Sequence, residues 1–184
     1  MGLVFKIAAT PEEFEQIHRL NYETFVEEIP QHHRNPERRL VDKFHDQNTY
    51  LICLDDAGLA GMVAMRAQRP FSLDSKLPNL DFYLPAGRSV VEIRLLAIRR
   101  QRRKGKILLG LLRMIAEQGR EKGYNLAIIS GTTRQLRMYR NIGFEPFGPL
   151  VGTADAPYQP MRVTLESFRE HIGRLVEESE RKAG

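Results

Sequence analysis

Six of the eight residues in RRQRRKGK (99–106) are Arg or Lys, and the apolar run ILLGLL follows at once. The ten residues before them, SVVEIRLLAI (89–98), alternate as a strand does. Val91, Ile93, Leu95 and Ala97 are expected on one face, with Val90, Glu92, Arg94, Leu96 and Ile98 on the other. From Gly105 to about Lys122 the apolar residues Ile107, Leu108, Leu111, Leu112 and Ile115 recur at helical spacing. A strand, a basic turn and a helix N-terminus present unpaired backbone N–H groups at the positive end of a helix dipole. That arrangement binds phosphate, and Gly105 would let the main chain come close to it. The segment therefore predicts a cradle for a diphosphate.

Other reactive side chains have plainer readings. Glu92 and Arg94 share a strand face and can pair. His32 and His33 are adjacent in a polar loop, a placement that seldom converges on a metal, and His18, His45 and His171 are read the same way, so no metal is expected. Cys53 cannot form an internal disulfide; within YLICL it reads as a small buried hydrophobe, which fits a reducing cytoplasm.

The elements that must position these residues follow from local pattern. LVFKIA (3–8) reads as a short strand, and Thr10-Pro-Glu-Glu13 as a capping box opening a helix to about Glu28. Phe14, Ile17, Asn21 and Phe25 should share one face of it. NTYLICLDD and GLAGMVAMRA predict a β-hairpin turning at Asp55, Asp56 and Gly58. The stretch RPFSLDSKLPNLDFYLPAGR (69–88) has three prolines and no period, yet it is too apolar for a linker. It is expected to be an ordered lid or pocket wall. Gly123 should end the helix after the basic loop. YNLAIIS is a strand, Thr132 or Thr133 caps a helix to about Asn141, Gly143-Phe144 opens a short strand, and PMRVTL (160–165) forms another. Ser167-Phe-Arg-Glu170 reads as a second capping box before the last helix. This order predicts one mixed α/β domain over residues 1–184.

Composition limits the class. The 184-residue chain is 42% hydrophobic and 28% charged, as in globular proteins. No apolar run reaches the length of about 18 residues needed to span a membrane. The N-terminus has too short an apolar core for a signal peptide, and Lys6 breaks the myristoylation pattern. The net charge of +5 suggests an anionic partner without choosing one.

LLAIRRQRRKGKILLGLL resembles the acyl-donor signature of the GNAT acyltransferases, Arg/Gln–x–x–Gly–x–Gly/Ala. Arg102 and Gly105 match, and Ile107 stands where the second small residue belongs. A bulky side chain there would shift the donor or indicate another carrier. RMYRNIGFEPFG (137–148) resembles the family's Tyr–x–x–x–Gly–Phe–Glu segment at the expected distance downstream. Two helix positions depart from the pattern: Thr132 replaces Asn and Gln135 replaces Ala. The resemblance covers residues 3 to 148 and implies a mostly antiparallel twisted sheet with helices on both faces. It also implies acetyl-CoA or a longer acyl-CoA as co-substrate and transfer of the acyl group to an amine.

Within that resemblance, main-chain N–H groups around Leu96, Ala97 and Ile98 hold the pantetheine arm and polarise the thioester carbonyl. Arg102, Arg103, Lys104, Gly105, Lys106 and Ile107 form the diphosphate loop. Tyr139 protonates the departing thiolate, and Glu92 is the candidate base that frees the amine. A finer likeness lies in Tyr22–x–x–Phe25–Val26–x–Glu28, in Glu92–x–Arg94 and in the long apolar insert. These resemble the autoinducer synthases and long-chain N-acyl amino acid synthases, which often take acyl groups from acyl carrier protein. The insert would then line an acyl tunnel. The expected partners are a small-molecule amine and, in that branch, acyl carrier protein, with no nucleic acid and no membrane; the chain is expected as a monomer or homodimer. Two rival classes are a non-catalytic acyl-carrier sensor and a nucleic-acid-binding module. The second lacks the aromatics that base stacking requires, since residues 99 to 112 contain none.

Overall fold

The computed structural model describes residues 2–103, 105–154 and 156–181. Its main elements are β1 (Val4–Ile7), α1 (Pro11–Tyr22), β2 (Thr49–Asp55), β3 (Gly58–Arg66), α2 (Leu80–Tyr83), β4 (Val90–Ile98), α3 (Lys106–Glu121), β5 (Leu126–Thr132), α4 (Leu136–Asn141), β6 (Glu145–Pro146), β7 (Val151–Gly152), β8 (Pro157–Thr164) and α5 (Leu165–Arg181). They form two compact units, one of residues 1–65 and 95–114, the other of 66–94 and 115–184.

In the first unit, α1 starts on the expected capping box. The Glu13 amide donates to Thr10 Oγ1 at 3.3 Å, and the Thr10 amide donates back to Glu13 Oε2 at 3.2 Å. The helix was expected to continue evenly to Glu28, but its last six residues, Glu23–Glu28, widen into a π-turn. There the Ile29 amide bonds the Thr24 carbonyl at 2.9 Å. Wide turns of this kind re-aim the side chains that follow. β1, β2 and β3 pair antiparallel, and Asp55 Oδ1 accepts from the Ala57 amide at 2.8 Å inside the predicted hairpin turn. Ile17, Leu20, Tyr50, Ile52, Met62 and Ala97 make the core.

In the second unit, the start of β4 runs parallel to β5, with Glu92 opposite Ile128. The other pairings are antiparallel. β5 pairs with β8 from Leu126↔Thr164 to Thr132↔Tyr158, and β6 and β7 lie along β8. The mixed, mostly antiparallel α/β architecture expected from the sequence is therefore present. The 69–88 insert is ordered, as expected. Phe71, Leu73, Leu77 and Leu80 are buried with Ile128 and Phe147, and the segment contains α2.

Three local expectations change. Ser167 does not cap the last helix: α5 begins at Leu165, and Thr164 Oγ1 accepts from the Ser167 amide at 3.2 Å. Thr132 precedes a 3-10 turn, Thr133–Gln135, and its side chain makes no cap hydrogen bond. The alternation expected along all of 89–98 is interrupted at Leu95, whose φ is +56°. A residue with a Cβ pays on the order of 1–2 kcal/mol for that conformation.

Candidate active site

The basic loop leaves the end of β4 as a 3-10 turn, Arg100–Arg102, and enters α3 at Lys106. The Arg99 amide is fixed to the Ala60 carbonyl at 2.9 Å, and the Arg102 amide to the Arg99 carbonyl at 2.7 Å. Two loop side chains are committed to carboxylates. Arg102 Nε meets Asp55 Oδ2 at 2.7 Å, and Arg103 pairs with Glu28 while its Nε donates to the Ile98 carbonyl at 3.1 Å. The π-turn after α1 supplies Glu28, and the β2–β3 hairpin supplies Asp55. Beside the exposed side chains of Arg100 and Lys106, the loop offers an anion its main chain: the first amides of α3 have no carbonyl within the helix to bond. Of the residues expected in this loop, Lys104 lies outside the described residues.

Ile107, the bulky residue at the small position, is 4% exposed and turned into the core. A Cβ on Gly61 of β3 would lie 2.9 Å from Ile107 Cγ2 and 3.2 Å from Ile98 Cγ1. The bulk missing at Gly61 is the space that Ile107 fills. The Ile107 side chain packs against β3. Gly61→Val should push Ile107 outward, lowering stability by about 1–3 kcal/mol. It should also raise the donor KM more than it lowers kcat. Steady-state kinetics and thermal melts check this, and an unchanged donor KM would mean that the pair only fills space.

Tyr139 stands on α4. Its ring rests on Gly131 of β5, where an added Cβ would come within 3.0 Å of Cδ2 and Cε2. The phenol hydrogen-bonds to Thr132. Burial raises its pKa above the ordinary tyrosine value, and the bonds to Thr132 pull the other way without cancelling it. A glycine inside a strand marks a close approach of this kind, and that signal was present in IISGT.

Glu92, the candidate base, is 1% exposed, and both its oxygens are occupied. Oε1 accepts from Ser72 Oγ at 2.5 Å and from the Leu73 amide at 3.3 Å; Oε2 accepts from the Ser72 amide at 2.9 Å. The Arg94 guanidinium lies 3.8 Å from Oε2, as the shared strand face predicted. The carboxylate therefore pins the start of the insert to β4. Ser72 was not singled out from sequence, because nothing in SLDSK shows that a buried acid waits for it.

Two of the histidines meet in the first unit. His18 and His45 are 27 residues apart but meet, with Nε2 and Nδ1 3.4 Å apart. Burial, His45 and Arg39 lower the His18 pKa. Among the described residues, no group of three or more His, Cys, Asp or Glu could hold a metal.

The model of the N-acyl amino acid synthase FeeM matches residues 16–164. The chain belongs to the FeeM family of N-acyl amino acid synthases. It is an acyltransferase, and both the GNAT resemblance and the finer one to the synthase branch hold. Solved structures share the fold. The CoA-dependent acyl-homoserine lactone synthase BjaI, with SAM and isopentyl-CoA, superposes with TM-score 0.78 at 22% identity over 94% of this chain and 89% of that one. FeeM from uncultured soil microbes gives 0.68 at 17% identity, over 92% and 94% of the two chains. A putative N-acetyltransferase from Lactobacillus plantarum gives 0.67 at 17% identity, over 90% and 99%. Among curated proteins, none matches this FeeM-family chain by sequence.

Proposed function

We propose that this FeeM-family enzyme transfers the acyl group of an acyl-CoA to the α-amine of an amino acid, working as one catalytic domain over residues 1–184. The observation that carries the choice of donor is Ile107. Its side chain is buried against Gly61, so its bulk does not count against a CoA donor. The structural likeness to BjaI, a CoA-dependent synthase, supports the same donor.

In this reading the neutral amine attacks the thioester carbonyl, and the carbonyl oxygen gains charge. Main-chain N–H groups of Leu96 to Ile98, after the irregular turn at Leu95, stabilise that charge. The tetrahedral intermediate collapses, the C–S bond breaks, and Tyr139 gives its proton to the thiolate. Coenzyme A thiol has a pKa of about 8.5, so the acid needs only to assist. With both oxygens of Glu92 occupied, the amine's proton is lost to water rather than to that carboxylate. The buried free thiol of Cys53 is compatible with a cytoplasmic setting.

The test incubates purified protein with octanoyl- and palmitoyl-CoA, the matching carrier-protein thioesters and mixed amino acids, following free thiol and the N-acyl product by mass. Release from acyl-CoA that depends on an amino acid is expected. Release from carrier-protein thioesters alone would move the donor to that partner. Tight donor binding without turnover would leave a sensor.

A further inference from the structure

Two carboxylates from distant parts of the first unit take hold of consecutive arginines in the basic loop. Asp55 ends β2 with its side chain 10% exposed, and a carboxylate so far withdrawn from water needs a cationic partner. Its Oδ1 accepts from the Ala57 amide at 2.8 Å, and its Oδ2 meets Arg102 Nε at 2.7 Å. The hairpin turn therefore sets where the carboxylate stands, and Arg102 must come to it. The same hairpin holds the loop three residues earlier, where the Ala60 carbonyl accepts from the Arg99 amide. Residues 99 and 102 are thus both tied to β2 and β3.

Glu28 fastens the next residue. It is the last residue of the π-turn, where the wide winding re-aims successive side chains. Glu27 turns to Arg38 at 2.9 Å, whereas Glu28 turns to Arg103. Arg103 Nε also donates to the Ile98 carbonyl, which closes the chain from 98 to 103 on itself. α3 begins shortly after, at Lys106. Arg100 and Lys106 stay exposed, while the guanidiniums at 102 and 103 are each matched by a carboxylate.

We propose that Asp55 and Glu28 are positioning residues for the acyl donor. They hold Arg102 and Arg103 so that the loop main chain, rather than those two guanidiniums, meets the donor phosphate. This rests on the reading above that the loop holds the donor, and it adds what places that loop. A ligand role and a positioning role for Arg102 differ in sign. If Arg102 were a phosphate ligand, removing the competing carboxylate charge would strengthen donor binding. As a support for the loop, it loses its placement and the amides lose theirs, so binding weakens.

The test measures the octanoyl-CoA Kd by calorimetry, with Tm and steady-state rates, for wild type, Asp55→Asn, Arg102→Gln, their double variant and Glu28→Gln. Asparagine can still accept from the Ala57 amide, so the hairpin turn is kept. Asp55→Asn and Arg102→Gln should each raise the donor Kd about tenfold, the size of one charge-assisted contact, and lower kcat by less. The double variant should be no worse than either single one, since both remove the same contact. Glu28→Gln should shift the Kd in the same direction. Tighter donor binding by Asp55→Asn, or additive losses in the double variant, would make Arg102 a ligand and overturn the proposal. A lower Tm with the donor Kd unchanged would overturn it too, leaving pairs that only stabilise the fold. If wild type binds no acyl-CoA but consumes a carrier-protein thioester, the choice of donor fails. The KM for that thioester in the same variants then decides the positioning role. Wild type that takes neither donor overturns both.

Discussion

Replacing Tyr139 with phenylalanine is expected to lower kcat about 100-fold and to leave the affinity for acyl-CoA unchanged. General-acid groups contribute roughly 10²–10⁴-fold, and the low end applies because a thiolate is already an able leaving group. The substitution removes one oxygen and keeps the ring on Gly131, so packing is preserved. The pH dependence has a defined sign. Burial raises the Tyr139 pKa, and the protonated phenol is the form that donates. Activity that depends on it is therefore complete at neutral pH and lost only as pH rises through a value above the ordinary 10 or so of tyrosine. Wild type should show no alkaline loss from this group below that range, and the phenylalanine variant should show no such limb at all. Single-turnover rates with octanoyl-CoA and donor titration by calorimetry measure the two quantities separately. An unchanged single-turnover rate would make Tyr139 a packing residue.

The motif that led to Tyr139 was readable because its information is local. Tyr139, Gly143 and Phe144 lie within one turn of helix and the bend after it, and Gly143 has the positive φ that such a bend requires. The same is true of the Thr10 box, the Asp55–Gly58 turn and the run that becomes α3. What the sequence concealed depends on residues far apart along the chain. Ile107 looks obstructive until Gly61, 46 positions earlier, is seen beneath it. Arg102 and Arg103 look like phosphate ligands until Asp55 and Glu28 are found holding them. Leu95 fits the alternation of its strand perfectly, and no side-chain pattern announces a positive φ at a leucine. The misplaced cap of α5 has a different cause: Thr164 and Ser167 are both good capping residues, and the end of β8 decides between them.

Glu92 is where a catalytic and an architectural role make opposite forecasts. A general base must have an oxygen available to the proton it takes. Here Ser72 and Leu73 direct three donors at the carboxylate, with the Arg94 guanidinium close by. Glu92→Ala leaves those buried donors facing a cavity and should cost about 3–5 kcal/mol, as breaking a buried charged contact does. For a chain of this length that is a fall in Tm of roughly 10 °C. Glu92→Gln keeps one accepting oxygen but turns an NH₂ toward a donor, so its loss should be smaller, about 1–3 kcal/mol. Because these contacts hold the carboxylate in place rather than present it to substrate, the glutamine variant should keep the shape of the wild-type pH–rate profile. A base would behave otherwise: the glutamine variant would melt normally, and the rate limb at low pH, where a carboxylate base is protonated, would vanish. Thermal melts and pH–rate profiles on that one variant separate the two, and a normal melt with a missing acidic limb would return Glu92 to the chemistry.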